Sequence, residues 1–126
     1  MVRCLLISHG NIAPAFVEAS RRIAGECENV FTLNCDALGP TRLQERIAHL
    51  IESSHLEDGL FILVSLRGGS CWHAAAKIAR EHERVKVISG LNLSLLLSFI
   101  TKHKKYRFEE LGEVMLADGI RGISHL

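Results

Sequence analysis

A histidine at the end of an apolar run is the first residue of this sequence that could do chemistry. The stretch "LLISHGN", residues 5–11, carries His9 directly after the apolar residues, and Gly10 follows it. A histidine held at the tip of a strand can act as a nucleophile through a neutral ring nitrogen. A histidine in a turn can equally have a purely structural role. Taken alone, the stretch leaves both interpretations open.

A glycine-rich loop in the middle of the chain could bind an anion. In "SLRGGSC", residues 65–71, Gly68 and Gly69 lack side chains and allow backbone amides to come close to a ligand. Ser70 is a good N-cap for the helical pattern that follows, and free N–H groups at a helix N-terminus favour an anion. Because many strand-to-helix turns use glycine and serine for geometry alone, this loop is a weak signal by itself.

The elements that must position these residues alternate between apolar runs and helical patterns. Strands are predicted at "RCLLIS", "NVFTL", "GLFILVSL" and "VKVIS", with helices between them, two further helices after the fourth strand and "GISHL" as a short final strand. Successive β-α-β units predict parallel strands with right-handed crossovers. The final strand follows two helices, so it is expected to lie antiparallel or at an edge.

The predicted fold is therefore α/β, a three-layer sandwich over residues 1–126 as one domain. In the strand order 2-1-3-4, the first and third strands are neighbours, and ligands collect beyond the carboxyl ends of such strands. His9 would then face the glycine-rich loop. This pairing suits a phosphorylated histidine, with the Ser70 hydroxyl and the helix N-terminus receiving the phosphoryl oxygens.

Composition excludes several classes of function. The chain has 126 residues and a net charge of +1, from 15 basic and 14 acidic residues, so it has no electrostatic footprint for nucleic acid or an anionic membrane. No apolar stretch is long enough to span a bilayer, and no signal peptide is expected. The four cysteines form no C-x-x-C pair and no zinc-ligand spacing. We therefore expect reduced thiols, a cytoplasmic protein, no metal and no cofactor.

The other histidines are expected on the surface. Their patterns place them on polar helix faces, in loops or at the terminus: His49, His55, His82, His103 and His125. His73 falls in the first turn of the third helix, from which it could reach a bound phosphoryl group, although a surface position is the better expectation. Cys71 has no identifiable base beside it and is a minor candidate nucleophile.

With these residues in place, the chain resembles the IIA component of the mannose/fructose-type bacterial phosphotransferase system. The resemblance rests on "ISHGNIA", "GLFILVSLRGGSCWHAAAKIA", "VISGLNLSLLLS" and "GIRGISHL" in this order. The phosphotransfer subunit of dihydroxyacetone kinase shares the architecture. The resemblance implies that His9 accepts a phosphoryl group through Nε2 from the histidine-containing phosphocarrier and passes it to a IIB domain. It also implies a homodimer, in which the last strand crosses to the partner's sheet.

The candidate site follows from this resemblance together with the loop chemistry. His9 is the catalytic residue, and the phosphate-contacting candidates are Gly10, Ser65, Arg67, Gly68, Gly69, Ser70 and Cys71. Ser65 stands where the family typically has an aspartate that holds Nδ1–H, Cys71 and Ser94 stand where proline is usual, and Arg67 replaces a common aromatic residue. Arg67 either pairs with the phosphoryl group or points outward to a partner.

Two alternatives remain open at this stage. Without the aspartate at position 65, the protein could be a regulatory interaction module with weak or no phosphotransfer, because loss of such a carboxylate costs about 10⁴ in rate in a Ser-His-Asp triad. "LLISHG" is also compatible with a small tetrapyrrole metal chelatase. That chemistry requires a second histidine at a later strand end, and no histidine of the sequence falls there.

Overall fold

The computed structural model of the chain describes residues 1–53 and 56–126, and the expectation for His55 lies outside the described residues. The strands are β1 (Arg3–Ser8), β2 (Val30–Asn34), β3 (Leu60–Val64) and β4 (Val85–Ser89). The α-helices are α1 (Ile12–Ala24), α2 (Pro40–Ser53), α3 (Ser70–Glu81), α4 (Leu93–Lys102) and α5 (Phe108–Arg121), and a short 3₁₀ turn covers Leu56–Asp58.

The four strands form one parallel sheet in the order β2-β1-β3-β4, as predicted. Ile7 in β1 lies opposite Leu33 in β2 and Val64 in β3, so these three strands end at nearly the same level. All five residues of β3 are buried, which explains why its sequence is apolar on both faces. The register places the loops that follow β1, β2 and β3 side by side.

Helices cover both faces of the sheet and complete the predicted three-layer sandwich. On one face, α2 and α3 bury their apolar stripes against alternate residues of the central strands, such as Leu5 and Ile7. On the other face, α1, α4 and α5 pack against the residues in between, with Phe61 in contact with the rings of Phe99 and Phe108. In the described part of the chain, no helix is long and apolar enough to cross a membrane.

The C-terminal segment differs from the sequence prediction. Helix α5 ends at Arg121, and residues 122–126 follow it without strand pairing to the described sheet of their own chain. The side chains of Ile123 and Leu126 are exposed. The predicted final strand is therefore absent from the single chain, and exchange of this segment between two chains stays a prediction.

His103 was expected on the surface, and this expectation is wrong. It is the C-cap residue of α4, and its ring stacks on Phe99 with centroids 5.1 Å apart. Its Nδ1 lies 3.3 Å from Nδ2 of the buried Asn29. Burial is the main cause that lowers the pKa of His103, so the ring packs as a neutral core group.

An acidic residue on α5 ties the last two helices together. The carboxylate of Asp118 accepts hydrogen bonds from the Ser98 hydroxyl at 2.6 Å and from the Lys102 ammonium, and it also pairs with Arg121. The Asp118 side chain is only 17% exposed. The hydrogen bonds from Lys102 and then from Ser98 hold the pKa of Asp118 below its ordinary value.

We expect Asp118→Asn to lower the free energy of unfolding by about 1–2 kcal/mol at neutral pH, because charge-assisted hydrogen bonds are lost. The folded pKa lies below the unfolded value of about 3.9, so the contribution is complete above that pH and disappears as pH falls through the folded pKa. Urea denaturation at neutral and acidic pH measures this, with the exposed Glu113→Gln as the matched control. A deficit that is unchanged at acidic pH would contradict the assignment.

Candidate functional site

The site lies at the carboxyl edge of the sheet, where three adjacent strands end. His9 follows Ser8 at the end of β1, and Cys35 and Asp36 follow Asn34 at the end of β2. The Cys35 N–H donates a hydrogen bond to the Ser8 carbonyl at 3.1 Å, which extends the pairing of β1 and β2 by one step beyond the strand ends. The residues after β2 therefore stand directly beside His9.

The His9 ring is held by a carboxylate that the sequence analysis did not identify. Nδ1 of His9 lies 2.9 Å from Oδ1 of Asp36, and the Gly10 N–H donates to Oδ2 of the same carboxylate at 2.8 Å. The bond from Gly10 and then the bond from His9 hold the pKa of Asp36 below its ordinary value, so this carboxylate is ionised at neutral pH. Because an ionised carboxylate only accepts hydrogen bonds, the neutral tautomer that this contact selects has its proton on Nδ1 and a lone pair on Nε2.

Two further contacts fix the loops that carry His9 and Asp36. The Asn34 side chain accepts a hydrogen bond from the Asp36 N–H at 2.7 Å and donates one to the Gly10 carbonyl at 3.1 Å. Gly10 has φ of 57°, a left-handed conformation that favours glycine. Asn34 and Gly10 therefore set the position of the carboxylate relative to the imidazole.

A disulfide lies against the ring of His9, with Sγ of Cys35 3.6 Å from both ring nitrogens, contrary to the expectation of reduced thiols. Cys35 and Cys71 are bonded to each other, with Cα atoms 6.5 Å apart, and both are buried. Their Sγ atoms lie 3.6 and 3.8 Å from Nε2 of His9. The two cysteines are 36 positions apart in the sequence, and the sheet brings them together because the end of β2 and the start of α3 meet at the same edge.

The glycine-rich loop reaches His9 through the first turn of α3. Gly68 has φ of 83°, a backbone conformation that suits glycine. Ser70 is the first residue of the helix and Gly69 is the N-cap, so the expectation that Ser70 caps α3 is wrong. No side chain caps this helix start, and Cys71 is the residue of its first turn that lies near the ring.

The remaining residues that were predicted to contact the phosphoryl group are Ser65 and Arg67, with His73 as a further candidate. Ser65 is half-buried at the end of β3, and among the described residues no hydrogen bond joins it to His9. Arg67 is exposed, with its guanidinium 6.0 Å from the centroid of the Trp72 ring. His73 is exposed, as expected. Leu66 is also exposed, by 70%, and lies between Ser65 and Arg67.

A signal for the missed residues was present in the sequence. The predicted strand "NVFTL" is followed by "NCD", which places polar and thiol groups at a strand end, the position where ligands collect in parallel sheets. Once β2 is placed beside β1, these residues must neighbour His9. Cys35 and Asp36 are nevertheless absent from the site residues predicted from the sequence, which come from the loops after the first and third strands.

The site and the fold together define the class of protein. It is an α/β protein with an exposed histidine at the carboxyl edge of its sheet, and a carboxylate orients that histidine. Comparison with known proteins agrees over most of the chain. The family "PTS system fructose IIA component", where PTS is the phosphotransferase system, matches residues 3–115. The sorbose-specific EIIA component of Klebsiella pneumoniae is 33% identical over 103 residues, which cover 79% of this chain and 73% of that protein.

Two further relatives extend this similarity. The fructose-specific EIIA component of Bacillus subtilis is 27% identical over 112 residues, covering 88% of this chain and 77% of the relative. The solved structure of phosphotransferase system component EIIA from Streptococcus agalactiae has a TM-score of 0.87 at 22% identity, covering 99% of this chain and 97% of its own, and it supports the fold.

The chain belongs to the fructose IIA component family of the sugar phosphotransferase systems. The resemblance read from the sequence is therefore confirmed. The chelatase alternative finds no support in these relatives.

Proposed function

We propose that this protein carries a phosphoryl group on Nε2 of His9, accepting it from the histidine-containing phosphocarrier and passing it to a IIB domain. The observation that carries the proposal is the 2.9 Å contact between Nδ1 of His9 and the Asp36 carboxylate, on a ring whose side chain is 60% exposed. The contact selects the tautomer with a free Nε2, and the exposure lets a protein donor reach it. As part of this proposal, the protein works in the cytoplasm.

The proposed reaction exchanges one N–P bond for another. The lone pair of Nε2 attacks the phosphorus of the donor's phosphohistidine, the new N–P bond forms, and the donor nitrogen keeps the electron pair of the bond that breaks. Positive charge develops on the imidazole of His9 while its Nδ1 proton stays directed at Asp36. The Asp36 carboxylate stabilises that charge, as the aspartate of a catalytic triad stabilises its imidazolium.

The phosphoryl oxygens would meet the start of α3. Sγ of Cys71, in the first turn of this helix, lies 3.8 Å from Nε2 of His9. A phosphoryl group on Nε2 therefore lies at a helix N-terminus that no side chain caps. Free N–H groups at such a terminus stabilise an anion. In this proposal the phosphoryl oxygens contact the backbone of Gly68, Gly69 and Ser70. Arg67 contacts either the phosphoryl group or the partner protein.

The surface around His9 also suits a protein partner. Ile12, at the start of α1, is 45% exposed, and Leu66 after β3 is 70% exposed. Both lie at the same edge of the sheet as His9, and Arg67 adds a positive charge beside them. Apolar side chains with a charged neighbour are the composition expected of a transient docking surface.

The direct test is phosphoryl transfer with purified components. The protein is incubated with phosphoenolpyruvate, its phosphoenolpyruvate-dependent kinase and catalytic phosphocarrier, and labelling is followed with radioactive phosphoenolpyruvate. We expect one label per chain that is labile to acid and stable to alkali, and that is lost when a IIB domain is added. Absence of label with an active kinase and phosphocarrier would overturn the proposal.

Ser65→Asp tests the alternative that this position limits phosphotransfer. Asp36 already supplies the carboxylate on Nδ1, so we expect the labelling rate to change by less than about threefold, a barrier change below about 0.7 kcal/mol. Ser65→Asn is the control of similar size without charge. A rise of an order of magnitude or more in Ser65→Asp alone would show that the serine impairs the site and would favour the regulatory alternative.

A homodimer is part of the proposal. The groove beside β4 is lined by Ile88, Ser89 and residues of α5, and the exposed side chains Leu116, Ile120 and Ile123 stand along it. In the described chain, β4 pairs only with β3, which leaves one strand edge open to residues 122–126 of a second copy. We expect a dimer in sedimentation analysis, and a shift toward monomer when residues 122–126 are deleted. A monomeric full-length chain would contradict this.

A further inference from the structure

The disulfide of this protein lies directly against the residue that is proposed to carry the phosphoryl group. Sγ of Cys35 is 3.6 Å from both ring nitrogens of His9, so it packs on the face of the ring, and Sγ of Cys71 is 3.8 Å from Nε2. We propose that the bond between Cys35 and Cys71 is a redox switch for His9, with fast phosphorylation in the oxidised protein and slow phosphorylation in the reduced protein. This inference rests on the proposed function of His9.

The two sides of this disulfide differ in how easily they can move. Both cysteines are buried, and they belong to the apolar cluster between the sheet and helices α2 and α3, together with residues such as Ile7 and Val64. Protein interiors are packed as densely as organic crystals, so this side resists a change of volume. The side chain of His9, on the other side, is 60% exposed. An increase in the space that the sulfurs need is therefore taken up by movement of the His9 ring.

Reduction increases the space that the two sulfur atoms need. Sulfurs in a disulfide are about 2.0 Å apart, whereas non-bonded heavy atoms pack about 3.5–4.0 Å apart, so the two thiols separate by more than about 1 Å. Because both sulfurs already touch the ring of His9, this separation displaces the imidazole from its place between Asp36 and the start of α3. A misplacement of about 1 Å can cost about 10²-fold in the rate of a reaction that depends on aligned groups.

The redox step balances with a dithiol as the reductant. One thiolate of the dithiol attacks a sulfur of the Cys35–Cys71 bond and forms a mixed disulfide, and its second thiolate then displaces the protein sulfur. The protein takes up two electrons and two protons to give two thiols, and the dithiol becomes a disulfide, which can reverse the reaction. A disulfide in a cytosolic protein is usually a transient one with a catalytic or redox-sensing role, which agrees with the cytoplasmic location in the proposed function.

Single-turnover phosphorylation of the oxidised and the reduced full chain tests the switch. One sample is reduced with a dithiol and desalted under inert gas, and both are mixed with purified phosphorylated phosphocarrier in a rapid-quench instrument. We expect labelling of the reduced protein to be about 10- to 100-fold slower, and reoxidation to restore the rate. Equal rates would overturn the switch and leave the proposed function intact, whereas absence of label in both samples would overturn both.

Cys71→Ala separates crowding at the ring from a general effect of reduction. This variant has one sulfur beside His9 and nothing that forces it toward the ring, so under reducing conditions we expect a rate within about threefold of that of the oxidised wild type. Cys27→Ser, which changes a thiol at the opposite edge of the sheet, should keep the full response to the dithiol. A folded Cys71→Ala protein that is as slow as the reduced wild type would overturn the proposed mechanism.

The ring of His9 also gives a readout that needs no substitution. Nitrogen-15 NMR at a pH where the ring is neutral distinguishes a proton on Nδ1 from a proton on Nε2. In the oxidised protein we expect the tautomer with the proton on Nδ1, because that nitrogen is 2.9 Å from the Asp36 carboxylate. In the reduced protein we expect a mixture of the two tautomers, because the displaced ring loses this contact. Identical His9 spectra in the two redox states of the folded protein would contradict the switch.

Discussion

His9→Gln should abolish phosphoryl labelling, with a rate reduced below detection. Glutamine has hydrogen-bonding atoms but no nitrogen lone pair that can attack phosphorus, so the proposed N–P bond cannot form. The fold should be unaffected, because the His9 side chain is 60% exposed and its polar contact is with the exposed loop that carries Asp36. The measurement is incorporation of radioactive phosphate from phosphoenolpyruvate under the conditions that label the wild type.

The matched control for this prediction is His73→Gln. His73 lies in the first turn of α3, one residue beyond Trp72, and is exposed, so it is the other histidine that could receive a phosphoryl group near the glycine-rich loop. We expect this variant to be labelled at the wild-type rate. Label retained by His9→Gln and lost by His73→Gln would move the phosphoacceptor to His73.

The strands and the parallel sheet could be predicted because the residues of each segment favour one type of element. The order 2-1-3-4 was expected because it is common in doubly wound folds. β3 is apolar at every position, as a strand buried on both faces must be, and helical patterns of full length separate the strands. Those features are local and repeat along the chain. The end of the chain is different, because residues 122–126 do not pair with the described sheet of their own chain.

The part of the site that could be predicted consists of His9 and the glycine-rich loop. His9 stands out because it ends a strand, and the glycines before α3 stand out by composition. The partners of His9 come from a neighbouring strand, and the contact between Asp36 and the ring depends on β2 lying beside β1 in a particular register. The predicted strand order already placed β2 beside β1, but the register and the backbone path beyond the strand ends decide which side chain after β2 reaches the ring. The pairing of Cys35 with Cys71 could not be predicted for the same reason.

The family resemblance implies a carboxylate at position 65, where this chain has Ser65; in this structure the carboxylate beside Nδ1 of His9 belongs to Asp36. In the Ser-His-Asp triad, removing the charge of the aspartate while keeping its shape costs about 10⁴ in rate, because the imidazole takes the wrong tautomer. The triad aspartate is buried, whereas the side chain of Asp36 is 49% exposed, and water weakens its electrostatic effect. The expected effect at Asp36 is therefore smaller than in the triad.

Asp36→Asn should lower the rate of phosphorylation of His9 by about 10²- to 10³-fold. The amide can donate as well as accept, so it allows the tautomer with the proton on Nε2, and it cannot stabilise the charged ring. Rapid-quench labelling with purified phosphorylated phosphocarrier measures the rate, and Glu45→Gln, an exposed acidic residue on α2, is the control for loss of one negative charge. The lowered pKa of Asp36 also predicts that the wild-type rate advantage over Asp36→Asn persists down to mildly acidic pH, because the carboxylate stays ionised there. An Asp36→Asn rate within about threefold of the wild type, or an equal loss in Glu45→Gln, would show that the contact with Nδ1 does not prepare His9 for transfer.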